Sequence, residues 1–309
     1  MRVAVIDLGT NTFNLIIAEA DGQQIQTLYS EKISVKLGKG GIGRNLIMPD
    51  AFDRGLTALN AHNQVICNYK AEKIIALGTS ALRTAENAKD FVSTVKEKLK
   101  IDVEIISGER EASLIYHGVL QTLESRQSNF LIVDIGGGSN EFIIANAKEM
   151  LWKESFKLGM ARLIDKFKPS DPIALTEISE MEKYFDKELI PLFEELSKTE
   201  IISLVGAEGA FESLYNMVQY NDTPNFHPKN GNKSKNLDIP GLLRLHEKLV
   251  NSTSSERMKM KGLEPYRVDM IIPATVFINY IIKHLKIESV EVSPYSMKEG
   301  AAWEILFGK

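Results

Sequence analysis

Apolar residues along this chain fall into short runs, separated by longer stretches in which they recur every third or fourth position. Eight runs rich in β-branched residues, at 3–6, 15–18, 73–77, 103–106, 130–133, 142–145, 201–205 and 290–293, predict strands. Between them, Phe52, Leu56, Leu59, Ile66 and Tyr69 keep i, i+4, i+7 spacing behind a candidate N-cap at Asp50, and Phe91, Val95 and Leu99 repeat the pattern. Both stretches predict helices with one apolar stripe. Strands alternating with helices point to an α/β fold. The most apolar segment, 270–282, is broken by Pro273, Thr275 and Asn279 and falls short of the ~18 residues of a membrane span, so it reads as a core helix.

The pattern also repeats within the chain. Val5-Ile6-Asp7-Leu8-Gly9 through Ala18 aligns without gaps on Ile132-Val133-Asp134-Ile135-Gly136 through Ala145, a spacing of 127 from Asp7 to Asp134. At the same spacing, residues 74–77 (Ile-Ile-Ala-Leu) fall on 201–204 (Ile-Ile-Ser-Leu). Internal repetition predicts two related α/β halves, the second enlarged by an insertion, with the cleft between them as the site.

Each half opens with a strand, Asp-x-Gly, a small polar turn and a second strand. Gly9, Thr10, Asn11 and Thr12 in the first turn, and Gly136, Gly137, Gly138 and Ser139 in the second, are small enough for backbone N–H groups to close on phosphate oxygens. One such turn is ordinary in a hairpin; two at matched positions favour phosphate binding. Asp134 ends one strand and Glu141 begins the next, which can bring both carboxylates to one rim and suits Mg²⁺. Solvated strand-end acids are the structural alternative. Gly78-Thr79-Ser80-Ala81-Leu82-Arg83 joins a strand to a helix, where Ser80 can bind an anion and Arg83 can reach it, or where they serve as a cap and a surface charge. A second junction, 105–112, carries Glu109, Arg110 and Glu111 in its first helical turn, a place where acids also stabilise helices without any catalytic role.

Composition narrows the partners. With 309 residues, 44% of them apolar, the chain can bury two cores. Its 37 Lys and Arg against 41 Asp and Glu leave a net charge of −4, so there is no general attraction to DNA or to an anionic membrane, and a polyanion needs a local site. The single Cys67 excludes an internal disulfide and, in its Val-Ile-Cys setting, reads as a buried thiol. His62, His117, His227, His246 and His284 lack ligand-like spacing and are assigned no chemistry. The N-terminal apolar run of four residues is far below a signal peptide's 7 to 15, which leads to the expectation of a cytoplasmic protein. Lys229, Lys233 and Lys235, within 216–240, form either a solvated loop or a basic lip for a polyanion.

Six ordered motifs then resemble one family. They are Asp7-Leu-Gly-Thr-Asn-Thr-Phe, Gly78-Thr-Ser-Ala-Leu-Arg83, Ser107-Gly-Glu-Arg-Glu111-Ala, Asp134-Ile-Gly-Gly-Gly-Ser-Asn-Glu141, Lys157-Leu-Gly-Met-Ala-Arg162-Leu, and Ser293 followed by Met297-Lys-Glu-Gly300. The chain is thereby similar to the Ppx/GppA phosphatases (exopolyphosphatase and guanosine pentaphosphate phosphohydrolase), within the acetate and sugar kinase, Hsp70 and actin superfamily, whose core is ribonuclease H-like. The resemblance implies two duplicated actin-like domains around a central cleft, 1–123 and 124–309, with the final helix (about 297–309) packing back on the first. It implies Mg²⁺-dependent release of terminal phosphate, a catalytic glutamate at Glu111, phosphate contact by Arg83, and a metal served by Asp134 and Glu141, with Asp7 holding a metal-bound water. Arg162 and Arg267 fall in family-like segments, as phosphate contacts or as surface ion pairs.

Departures from the family pattern matter too. Arg110 replaces the first of two adjacent family glutamates, and Glu208 stands in a loop, 206–210, that is Gly-rich in relatives. Glu208 is expected to repel a nucleotide by like charge, leaving linear polyphosphate less affected. The sequence has no His-Asp dipeptide, so the phosphohydrolase-like extension of longer relatives is expected to be missing. Inorganic polyphosphate is therefore the expected substrate. The rivals are guanosine pentaphosphate, a superfamily kinase reaction, and a non-catalytic polyphosphate or alarmone sensor. The oligomeric state is left open, a homodimer included.

Overall fold

A computed structural model describes residues 1–124, 128–223, 226–227 and 231–308. Lys229 of the candidate basic lip lies outside the described residues. The first sheet comprises β1 (Arg2–Leu8), β2 (Thr12–Asp21), β3 (Gln24–Ser34), β4 (Lys73–Gly78) and β5 (Val103–Ile105), in the order β3-β2-β1-β4-β5. The second comprises β6 (Phe130–Ile135), β7 (Asn140–Ala145), β8 (Met150–Phe156), β9 (Ser203–Ala207), β10 (Lys235–Leu237) and β11 (Ser289–Ser293), in the order β10-β11-β9-β6-β7-β8. Each sheet is an antiparallel meander of three strands continued by two parallel ones: β1, β4 and β5 in the first, β6, β9 and β11 in the second. The expected duplication is thus present as topology, with β10 added antiparallel at one edge.

Its second anchor, however, slips. Leu77 pairs opposite Asp7, whereas Ala207 pairs opposite Asp134, a spacing of 130. The match of 74–77 on 201–204 is therefore three residues out of structural register, and β9 begins at Ser203. Both segments are short aliphatic runs, and such runs match one another at several registers.

The helices are α1 (Pro49–Tyr69), α2 (Ser80–Thr84), α3 (Ala88–Leu99), α4 (Gly108–Leu120), α5 (Met160–Phe167), α6 (Leu175–Glu188), α7 (Ile190–Leu196), α8 (Gly209–Asp222), α9 (Ile239–Val250), α10 (Ser254–Arg257), α11 (Ile271–His284) and α12 (Met297–Phe307). Helices α1 and α3 cover the outer face of the first sheet, and α6, α8, α9 and α11 belong to the outer core of the second. Between the sheets lie α4 and α12. Helix α12 packs on β1, β2 and β3, while α4 packs on β7 and β8, so each half's last helix rests on the other half's sheet. The two helices cross closely: a Cβ on Gly118 would lie 2.1 Å from the Ser296 carbonyl oxygen, and one on Gly300 would lie 1.8 Å from that of Leu114.

The central strands explain the uninterrupted apolar runs. Val3 and Val5 face the middle core, while Ala4, Ile6 and Leu8 face the outer one. Ile132 and Leu131 divide in the same way in β6. A strand buried on both faces shows no alternation. Helix α11 is buried at every position from Ile271 to Ile282, as its composition predicts. Among the described residues no helix is long and apolar enough to cross a membrane.

Two local expectations are overturned. Cys67 is exposed, because one residue's turn of helix rotates it away from the buried Ile66. Asp50 does not cap α1. The helix starts at Pro49, whose fixed φ suits the first helical position, and the Asp50 carboxylate instead accepts from Arg54 at 2.6 Å.

Candidate active site

The two Asp-x-Gly turns have one geometry. Gly9 N–H donates to the Thr12 carbonyl at 3.1 Å, and Gly136 N–H donates to that of Ser139 at 3.0 Å. A Cβ would stand 2.8 Å from the acceptor at Gly9 and 2.7 Å at Gly136, so both turns require glycine there. The turns also meet across the cleft. A Cβ on Gly137 would fall 2.2 Å from Asn11 Nδ2, and one on Gly138 would fall 2.5 Å from Thr10 Oγ1 and 2.6 Å from Ser80 Oγ. The predicted phosphate residues of three chain segments therefore converge on one spot. Thr10 Oγ1 is buried there without a hydrogen-bond partner. The 157–163 motif supports the second turn from below, since Met160 and Ala161 N–H groups donate to the Gly136 and Gly137 carbonyls at 3.0 and 2.8 Å.

Acids line the same cleft. Asp7 faces Asn14 across the β1–β2 ladder and accepts from its Nδ2 at 2.7 Å. At the matching place in the second half Asp134 faces Glu141, so a carboxylate replaces the amide. Burial, with Glu141 next, pushes the Asp134 carboxyl up to about 8, although Ser296 Oγ donates to it. Burial alone among the major causes raises Asp7 to about 6 against the pull of Asn14. Glu141 is also raised by burial, while Ser139 and Ser155 donate to its Oε1 at 2.6 and 2.7 Å.

Glu111 enters from the first turn of α4, whose N-cap Ser107 accepts from Arg110 N–H. The residue is buried, 9% exposed, against the exposed Glu109 two residues before. Burial first, then the Glu141 charge, drives its pKa well above the ordinary range, and Arg83 opposes this. Arg83 Nη1 donates to Glu111 Oε2 and to the Ile106 carbonyl, both at 2.9 Å. Arg83 thus holds Glu111 in this structure. Arg110 is spent elsewhere, forming a two-pronged pair with Glu304 of α12 at 2.9 and 2.5 Å.

These motifs share one cleft, and the model of the Ppx/GppA phosphatase family matches residues 16–307. The chain belongs to the Ppx/GppA family. Over its whole length this Ppx/GppA chain is similar to the crystal structure of an exopolyphosphatase from Cytophaga hutchinsonii, with 38% identity, a TM-score of 0.96, and 98% of that chain covered. An Aquifex aeolicus member of the family shares the fold, at 24% identity and a TM-score of 0.81 over 100% of this chain and 98% of that one. A bifunctional 3-dehydroquinate synthase/phosphatase from Fusobacterium nucleatum is 30% identical over 97% of this chain but only 46% of its own length, so the Ppx/GppA chain spans about half of that relative.

Some residues behave otherwise than expected. Arg162 forms no ion pair among the described residues: it donates to the Gly138 carbonyl at 2.8 Å, to Thr84 Oγ1 at 3.0 Å and to the Ile42 carbonyl at 3.3 Å, which ties the second turn to the first half. Arg267 lines the cleft, with its buried Nε 3.5 Å from a Glu264 carboxylate oxygen as an ion pair but without a hydrogen bond. Glu208 is not a free negative charge. Lys298 reaches one of its oxygens at 2.5 Å and Lys32 the other at 3.3 Å, which holds its pKa down at about 2 despite burial. The like-charge account of this loop therefore fails. Sequence reasoning missed Lys32, Ser155 and Tyr266 entirely, and Asn14 was signalled only as the counterpart of Glu141 in the repeat.

Proposed function

We propose that this Ppx/GppA protein is an exopolyphosphatase that uses Mg²⁺ and water to release the terminal phosphate of inorganic polyphosphate. The observation that carries the reading is the meeting of two glycine turns, Thr10, Asn11 and Ser80 beside four acids, Asp7, Glu111, Asp134 and Glu141, that line the same cleft. The full-length similarity to an exopolyphosphatase supports it.

The donor chemistry fits a hard divalent cation. Glu141 is buried and Asp7 and Asp134 are half-buried, all three without an ion-pair partner among the described residues, and Asp7 and Asp134 have pKa values raised to about 6 and about 8. Excess negative potential of this kind is relieved by a cation. Among the described residues no group of three His, Cys, Asp or Glu side chains can hold a metal ion. A three-carboxylate cluster is therefore not formed, and one or two of these acids with water or phosphate oxygens is the arrangement Mg²⁺ usually takes. When bound, Mg²⁺ would neutralise charge on the transferring phosphoryl group.

The rest falls to the chain's own groups. Backbone N–H groups within the two turns, other than those of Gly9 and Gly136 that close the turns on Thr12 and Ser139, would grip phosphate oxygens, with Thr10 and Ser80 hydroxyls adding donors. Glu111, with its raised pKa, would take the proton of an attacking water, and Arg83 would keep that carboxylate aimed. Tyr266 and Arg267 at the cleft wall keep guanosine pentaphosphate as a second reading. Phosphate release from polyphosphates of several lengths, guanosine pentaphosphate and nucleotides, each with and without Mg²⁺, tests both. Turnover of guanosine pentaphosphate well above that of every polyphosphate would reverse the assignment, and no release from any of them would end it.

A further inference from the structure

Glu208 combines three features that packing does not require together. Its φ of 40° and ψ of −147° are a conformation that residues with a side chain rarely adopt, and such strain persists where the surroundings impose it. Its two carboxylate oxygens are each held by a different lysine, one from β3 of the first half and one from α12. All three residues line the cleft that holds the glycine turns. Asp7 feels the charges of both Lys298 and Glu208, so this cluster adjoins the proposed phosphate grip.

A pair of lysines from two elements converging on two oxygens of one anion is the arrangement that would receive a phosphate group. We propose that Lys32 and Lys298 form a further phosphate subsite of the cleft, which the chain occupies with its own Glu208 carboxylate. Polyphosphate extending into it must displace that carboxylate, so Glu208 limits how many phosphate groups the protein holds at once and sets a preference for the shorter grip. This deepens the reading of the cleft as a polyphosphate site and rests on it. Lys298 retains Glu299 at 3.0 Å and Lys32 retains Glu212 at 3.4 Å when Glu208 is gone, so removing one acid leaves neither lysine stranded.

The test is calorimetric titration of the full chain with tripolyphosphate in the absence of divalent cations, so that turnover plays no part. Glu208→Gly, which also removes the backbone strain, should bind tripolyphosphate about tenfold tighter or more than the wild type, as for a gained charge-assisted hydrogen bond. Glu208→Gln keeps the backbone and side-chain volume and should gain in the same direction by less, which guards against a folding defect in the glycine variant. Adding Lys32→Met to either should cancel most of the gain. Unchanged or weaker binding in both single variants, or a gain that survives Lys32→Met, overturns the subsite. Absence of phosphate release by the wild type would instead strike the proposed function, and the metal-free titration would still decide the subsite.

Discussion

At Glu111, two effects oppose each other. Burial and the facing Glu141 push the carboxyl toward its neutral form, while the Arg83 guanidinium 2.9 Å away favours the anion, and the outcome is a raised pKa. A base must be deprotonated to act, so kcat should rise with pH as Glu111 loses its proton. Glu111→Gln keeps the size and the Arg83 contact on one oxygen but cannot take a proton, and should lower kcat by about 10²- to 10⁴-fold with little change in KM. Glu109→Gln, on the exposed face of the same turn, should leave kcat near wild type. Steady-state kinetics on polyphosphate decide this, and retention of more than about a tenth of kcat in Glu111→Gln would remove the general-base role. Glu111 was legible because it sits in a motif; Arg83 was legible as a cleft residue but not as the partner of Glu111, since the two lie in separate segments.

Two elements meet through glycine backbone at the centre of the molecule. Gly138→Ala places a methyl group where Thr10 and Ser80 hydroxyls already stand, so the two turns must part. Misplacement of reacting groups by about 1 Å can cost 10²-fold, and kcat/KM should fall by at least about tenfold. The melting temperature should fall as well, because the hydroxyls can rotate but Ser80 Cβ, 2.8 Å from the new methyl, cannot. Gly300→Ala is the opposite case. Its methyl would strike the Leu114 carbonyl, a backbone atom inside α4, and overpacking of this kind costs about 1–3 kcal/mol even though alanine favours the helix by about 1 kcal/mol. Urea unfolding should show the loss, and an unchanged midpoint would mean that the helix crossing accommodates the methyl group without cost. Neither glycine contact could be read from spacing, because each joins residues far apart in the chain.

The whole molecule carries its cleft acids as a pH liability. Asp7 at about 6 and Asp134 at about 8 both lie above the ordinary 3.8, so the folded protein binds protons that the unfolded chain has released. Their contribution is intact below the unfolded pKa and is lost as pH rises through the folded values. Metal-free protein should therefore melt several degrees lower at about pH 9 than at about pH 5, and Mg²⁺ should raise the melting temperature more at the higher pH. Equal Mg²⁺ effects at both pH values would mean that these carboxylates do not meet the metal. Asp134→Asn should flatten the pH dependence and raise the Mg²⁺ concentration needed for activity.

By itself the sequence determined the α/β alternation, the duplication and the residues of both glycine turns, because strand burial on two faces and the steric demand for glycine act over a few neighbouring positions. It left β3, β8 and β10 unseen, since the two edge meander strands are half exposed and β10 spans only Lys235–Leu237. Local pattern also misjudged Cys67, whose neighbours are apolar but whose helical direction is outward. Only the tertiary structure decided that α4 and α12 exchange sheets, that Arg83 serves Glu111, and that the Glu208 charge is neutralised. Each of these depends on contacts between residues 28 to 194 positions apart, such as Arg83 with Glu111 and Arg110 with Glu304, and no local periodicity records a contact made by folding the chain back on itself.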